Sequence, residues 1–417
     1  MFVLTTEKYF RFVITMVMAI TFLPLANYRL PAYIGSPHAW ALLWGLSLLF
    51  FKPKIFTQKL MLLIALYGFF LLLMLNVFWL GMDDGNVTLL WREFYDISVG
   101  ISIISYFNIT RDYIGFAKIV KYTVIFITIT AIMTVITSII FPMYAREMFQ
   151  ESSAGMESQK LIYTFGAGTY GTAIAFMAII PLLIYYFKNN TFIQQKKWAV
   201  VVMIFLIGLA LFRMQIFTNI MIAGLFAFIA LVSEKNRKRT YIILGILAII
   251  VVLIPKEEYA HMLYRLSNMF INMEEVSFKL NEFAIYFQYG VNIQNNTIIH
   301  RADRFPILLY AFSESPIFGC FFFNYWGFGY LAECFHLYWM NKLTITGIVG
   351  FLFFVSILFT FIREETKKLD DGFRFYFILS VFSILVYGLF KNITDRECWY
   401  LFFVILPGMY YLPLLKK

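Results

Sequence analysis

Twelve apolar stretches, separated by short polar gaps, constrain this chain more than anything else in it. They run over residues 10–25, 39–51, 60–80, 94–107, 122–141, 162–187, 198–212, 216–232, 241–254, 341–362, 373–390 and 398–415. A stretch of about 20 apolar residues crosses the hydrocarbon core of a bilayer as a helix, which satisfies its own backbone. The pattern predicts an all-α polytopic membrane protein of about 12 transmembrane helices. Composition agrees: 14% of the 417 residues are charged, against roughly 25% in a soluble domain. Mean hydropathy is +0.76. No soluble domain of ordinary size fits between the stretches.

The net charge of +10 invites a nucleic-acid reading, but its distribution excludes one. Basic residues fall in alternate gaps, as at Lys52, Lys54 and Lys59, at Lys188, Lys196 and Lys197, and at Lys235, Arg237, Lys238 and Arg239. The other gaps carry few: Arg29, Arg92, Arg146, Lys160, Arg213, Lys391 and Arg396. The positive-inside rule then places both termini in the cytoplasm and residues 255–340 on the outer face. Three regions follow: an N-terminal bundle over 1–254 with about nine spans, the outer loop over 255–340, and C-terminal spans over 341–417. The loop is rich in aromatics and Met at helical spacing, from Tyr259 to Tyr289, which predicts amphipathic helices at the interface or capping the bundle. The N-terminal stretch is followed by Asn27, Tyr28 and Arg29 with no small-residue cleavage site, so it reads as a retained span.

Soluble-enzyme motifs are missing: there is no GxxxxGK[ST], HExxH or GxSxG. His38, His261, His300 and His336 are far apart, so no metal site and no cofactor are expected. Asp83-Asp84 and Asp370-Asp371 read as solvated turns, and no DxD pair is present. Cys320, Cys334 and Cys398 form no CxxC and read as free thiols. Scattered sequons, Asn86 among them, read as chance matches.

The cations carry more. Arg213 stands between two apolar runs at the outer face, where it either snorkels to lipid headgroups or meets an anionic ligand. Arg301 and Arg304 share a face if 302–312 is helical, with Pro306 tolerated in the first turn. Such a pair grips a phosphate, or forms salt bridges to Asp303, Glu282 or Glu314. His336 precedes a span, either as a structural residue or as a base toward a sugar hydroxyl. Gly347 and Gly350 lie inside a span, where small residues let helices approach.

Taken together, these residues resemble the O-antigen polymerase and O-antigen ligase superfamily of bacterial envelope enzymes. The matching positions are Arg301, Phe305, Pro316-Ile-Phe-Gly319, His336 and Gly347-Ile-Val-Gly350, with Arg213 between mid-chain spans and Phe165-Gly166-Ala167-Gly168 opening an earlier one. The sequence departs from that pattern at Phe305, Phe212 and Leu337, where the family usually has Trp, Ser and Asn, and it lacks the Pro-Asn of the earlier segment. Leu337 bears most directly on the role of His336.

The resemblance implies a GT-C-like fold and metal-independent glycosyl transfer at the periplasmic face of the bacterial inner membrane. It implies an undecaprenyl-diphosphate-linked oligosaccharide as substrate, in contact with membrane lipids, and allows a chain-length-determining protein as a further partner. Arg213, Arg301 and Arg304 would bind the diphosphate; Arg301, Arg304 and His336 would be catalytic, with Glu282, Asp303, Glu314 and Glu333 as reserve bases. The aromatics between Phe321 and Tyr330 would stack on sugars or line a lipid entrance. The leading expectation is a polysaccharide repeat-unit polymerase. The alternatives are a ligase transferring glycan to lipid A core, a polysaccharide flippase or transporter, and a membrane acyltransferase using His336. The charges seen in the sequence sit at the outer face rather than at mid-membrane, which weighs against a transporter.

Overall fold

The structure, a computed structural model, describes residues 5–77, 84–142, 144–147, 160, 162, 164–189, 197–233, 245, 255–289, 304–319 and 337–416. Among the described residues every regular element is helical. The principal helices are α1 (Thr6–Phe22), α2 (Pro37–Phe51), α3 (Lys59–Val77), α4 (Asp84–Thr110), α5 (Tyr113–Ile140), α6 (Tyr170–Asn189), α7 (Lys197–Arg213) and α8 (Phe217–Val232). They continue with α9 (Lys256–Met269), α10 (Glu274–Tyr289), α11 (Arg304–Glu314), α12 (Tyr338–Thr366), α13 (Asp371–Tyr387) and α14 (Arg396–Leu415).

Helices answer eleven of the twelve expected stretches; 241–254 lies outside the described residues except for Gly245. Among the described residues, four helices (α5, α6, α12 and α14) are long and apolar enough to cross a membrane, while others such as α2 and α8 are apolar but shorter. Their outer surfaces are apolar too. Leu42, Leu46, Leu49 and Phe50 of α2, and Ile348, Leu352, Val355 and Phe359 of α12, are exposed at helical spacing. A water-soluble protein seldom leaves continuous stripes of this kind uncovered, so these faces belong against lipid.

The centre of the bundle is made by α6 and α14. In their most apolar windows 83% and 72% of residues are buried, against 44% in α5 and in α12. Full burial suits α6, whose sequence from Gly171 to Leu183 alternates small and branched apolar residues with little polarity. Helix α14 is irregular. It widens to a π turn over Leu401–Ile405 beside Pro407, which has no N–H to donate, and tightens to 3-10 geometry from Met409.

The twelve expected spans are found only in part: four described helices reach crossing length, and α5 and α6 begin at Tyr113 and Tyr170 rather than near residues 122 and 162. Helix α4 begins at Asp84 rather than near Phe94, so Arg92 lies within a helix and not in a loop. Helix α12 is interrupted at Gly347, whose φ of 63° and ψ of −176° belong to a region that glycine alone enters readily. Within residues 255–340, helices are present among the described residues: α9 and α10 form an antiparallel hairpin, and α11 begins at Arg304 with Pro306 in its first turn.

At one end of the bundle, charged side chains close the helices. Lys188 donates to the carbonyls of Ala230, Leu231 and Ser233 at 2.6–2.8 Å, capping α8. Arg11 bonds Asp112 at 2.6 Å, and Arg374 bonds Asp371 together with the carbonyls of Thr366 and Leu369. Asp370 accepts from the Phe373 N–H as the N-cap of α13. The expected turn at Asp370-Asp371 is exposed, and its first residue also serves as a cap.

Candidate functional site

The opposite end of the bundle gathers buried charges and positive-φ glycines, in three connected parts. The first is a glycine junction. Backbone N–H groups of Ile348 and Val349, freed by the break at Gly347, donate to the carbonyls of Pro316 and Ile317 at 2.9 and 3.1 Å. Gly319, with φ 88°, faces Gly347 so closely that a Cβ on either would run into the other's backbone. The turn after α11 thus docks into the break of α12 and supplies the acceptors that the second half of α12 needs at its start. Thr344 ties the two helices again by donating to the Leu308 carbonyl at 3.2 Å. Pro316–Gly319 and Gly347–Gly350, about thirty residues apart in sequence, are one structural unit.

The second part is an ionic network between α4, α12 and α14. Glu93 accepts from Lys342 Nζ at 2.6 Å and from the Tyr338 hydroxyl. Both charged side chains are almost fully buried, at 2% and 4% exposure, and Lys342 also lies 4.7 Å from the centre of the Phe354 ring. One turn along α4, Asp96 is fully buried and accepts from Arg396 Nε at 2.9 Å. Arg396 Nη2 lies 3.1 Å from His38 Nε2 at the start of α2. Charges this deep persist only when paired.

Around Arg396 the network opens. Asp395 and Glu397 are half-buried, and Arg92 is exposed close enough to act electrostatically on both. Burial pushes the Asp395 carboxyl above its ordinary value; Arg92 opposes this, Asp96 adds to it and Arg396 opposes it. Gly171 makes room for the pair, since a Cβ there would lie 2.6 Å from Glu397 Oε2. A carboxyl pair beside an exposed guanidinium can hold a proton and attract an anion.

The third part surrounds Arg213, the last residue of α7. Its Nη2 donates to the Ser138 carbonyl at 2.6 Å and its Nε to Ser138 Oγ at 3.3 Å. Ser138 lies in the last turn of α5, where carbonyls lack helical partners, so Arg213 caps that helix. Two of its five donors are used in this way, and the side chain is half-buried. The segment Gly166–Gly171 links the second and third parts. The Gly168 N–H donates to Thr134 Oγ1 at 2.8 Å, one turn before Ser138, while Gly171 abuts Glu397. Gly166, with φ 69°, packs on Leu25.

Of the residues expected from the sequence, Arg213 stands at this end. Arg301, Asp303, Glu333, His336 and the aromatics of 321–330 lie outside the described residues, as does the side chain of Arg304, whose backbone opens α11. Glu282, a reserve base, is buried and paired with Lys279 at 2.5 Å within α10. Cys398 is buried and free, while Cys320 and Cys334 lie outside the described residues.

The sequence reading missed Glu93, Asp96, Lys342, Asp395 and Glu397. It counted Arg92 and Arg396 as loop charges, and it set His38 aside as isolated. The signal was present in Trp91-Arg92-Glu93-Phe94-Tyr95-Asp96 and Asp395-Arg396-Glu397, which put clustered charges against the start of apolar runs. Taken singly, such residues are indistinguishable from span ends; only packing reveals their pairing.

No family model, no curated protein and no solved structure matches the chain.

Proposed function

We propose that this chain is a membrane glycosyltransferase of the O-antigen polymerase type. It would transfer a glycan from undecaprenyl diphosphate to a sugar hydroxyl of another lipid-linked repeat, at the periplasmic face of a twelve-span, GT-C-like bundle. The observation that carries this reading is the junction of Pro316–Gly319 with Gly347–Gly350. Two segments on which the sequence resemblance rests support each other's backbone, and α11, which carries Arg304, is fixed by that contact. In the reaction the acceptor oxygen bonds to the anomeric carbon as the bond to diphosphate breaks. The electron pair leaves with undecaprenyl diphosphate, and the acceptor proton passes to a base. Arg213, Arg301 and Arg304 neutralise the growing negative charge. His336 is the assigned base, and the half-buried carboxyls of Asp395 and Glu397 join the reserves.

Purified protein, given lipid-linked repeats, is expected to make polymer, and Arg301→Ala and His336→Ala to lower its amount by at least about a hundredfold. Polymer of unchanged length and amount from both variants would sink the assigned site. Glycan from a deletion strain separates the ligase alternative: a single repeat on lipid A core indicates a polymerase, and no repeat on core indicates a ligase.

A second reading, a flippase for lipid-linked glycan, is favoured by one observation. The Glu93–Lys342 and Asp96–Arg396 pairs lie inside helices, and α12 is broken, as transporter helices often are. Movement of lipid-linked repeats across vesicles, with no glycosidic bond made, would establish that reading and overturn the first.

A further inference from the structure

The turn between α7 and α8 holds polar groups that its packing does not satisfy. Gln215 has φ 56°, in the left-handed region that a non-glycine side chain enters at a cost. It is 6% exposed, and its Oε1 has no hydrogen-bond partner among the described residues. Asn219, in the first turn of α8, is fully buried, and neither its Oδ1 nor its Nδ2 has a partner among them. Thr137 Oγ1, also fully buried and unpartnered among them, belongs to the residue before Ser138, which holds Arg213. Buried amides are nearly always satisfied, so one with both ends unmet marks a place built for a bonding group.

The unmet groups define that partner. An asparagine amide offers donors and an acceptor together, the glutamine oxygen and threonine hydroxyl add acceptors, and a guanidinium stands beside them. A matching ligand carries several hydroxyls next to an anionic group. The turn is flanked by aromatic rings, with Phe212 against Phe270 and Phe217 against Phe283, both from the α9–α10 hairpin. We infer that Gln215 and Asn219, beside Arg213, form a subsite for the sugar hydroxyls of a phosphate-linked glycan. This rests on the glycosyl-transfer reading and adds to it the residues that tell a glycan-bearing lipid from a bare one. Gln215, strained at its backbone, is buried rather than turned to solvent, and the α9–α10 hairpin packs on the turn through Phe270 and Phe283.

The test uses the full chain in detergent micelles and two probes: lipid-linked oligosaccharide extracted from the source cells, and sugar-free undecaprenyl diphosphate. The wild type is expected to bind the glycan-bearing lipid at least about tenfold more tightly, because a site built for hydroxyls rejects ligands that lack them. Asn219→Leu is expected to remove that preference while leaving the sugar-free lipid within about twofold. It should also raise the thermal midpoint, since it deletes an unsatisfied buried amide. Gln215→Gly relaxes the backbone and removes the second amide; it is expected to weaken the preference and decides the matter should Asn219→Leu not fold. Retention of the full preference by both variants, or its absence in the wild type, overturns the subsite while glycosyl transfer itself can still be seen in the polymer assay. A wild type that binds neither lipid overturns the subsite and the functional reading together.

Discussion

The two ends of this helical bundle use charge in opposite ways. At the end where α1 begins, cations complete helices or meet acids near the surface: Lys188 gathers three carbonyls of α8, Arg374 closes the turn into α13, and Arg11 takes Asp112. At the other end, acids and bases are buried in a network, three glycines adopt positive φ, and amides lie unsatisfied among the described residues. The first arrangement stabilises helix ends at a water boundary. The second costs stability through desolvation, strain and unmet hydrogen bonds. Costs of that kind collect where a protein binds or reacts.

Four single substitutions and one double variant test the contrast, from the largest expected effect to the smallest. Glu93→Leu strands Lys342 in an apolar interior and should cost about 3–5 kcal/mol of stability by denaturant unfolding in micelles. The double variant Glu93→Leu with Lys342→Met should return to within about 1 kcal/mol of wild type, because an apolar pair replaces a buried ionic one. A single variant as stable as wild type would remove the network from the account.

Gly347→Ala combines a forbidden backbone with a collision at Gly319, for a loss of about 3 kcal/mol. Protease cleavage after α11 should accelerate with it; unchanged cleavage would mean that the junction does not hold α11. At the other end, Lys188→Met removes a cap that is open to water and should cost only about 1 kcal/mol. A loss equal to that of Glu93→Leu would erase the difference between the two ends. Gln215→Gly is expected to act in the opposite direction, raising stability by about 1 kcal/mol as left-handed strain is released. A drop in melting temperature would show that Gln215 serves the fold rather than a ligand.

Much of this architecture was legible from the residues. Long apolar runs demand helices, because backbone polar groups in lipid have no other partner, and the helices found match the runs within a few residues at most ends. Arg213 was singled out because an arginine between apolar runs must find a partner; its bond to Ser138 supplies one, and a structural one. Gly347 was noted as a small residue inside a span and Gly319 as part of a motif, but their mutual contact could not be read, since each needs the other's backbone to explain its φ.

The buried pairs were least legible. Glu93 and Lys342 are 249 residues apart, and Asp96 and Arg396 are 300 apart. Hydropathy alone indicated where most of the helices form and that they are apolar enough to seek lipid, because transfer of apolar surface depends on composition along the run. Which charges neutralise one another, which glycines touch and which amides are left without partners were decided only in three dimensions. Those properties belong to pairs of helices, and a linear chain does not state its pairs.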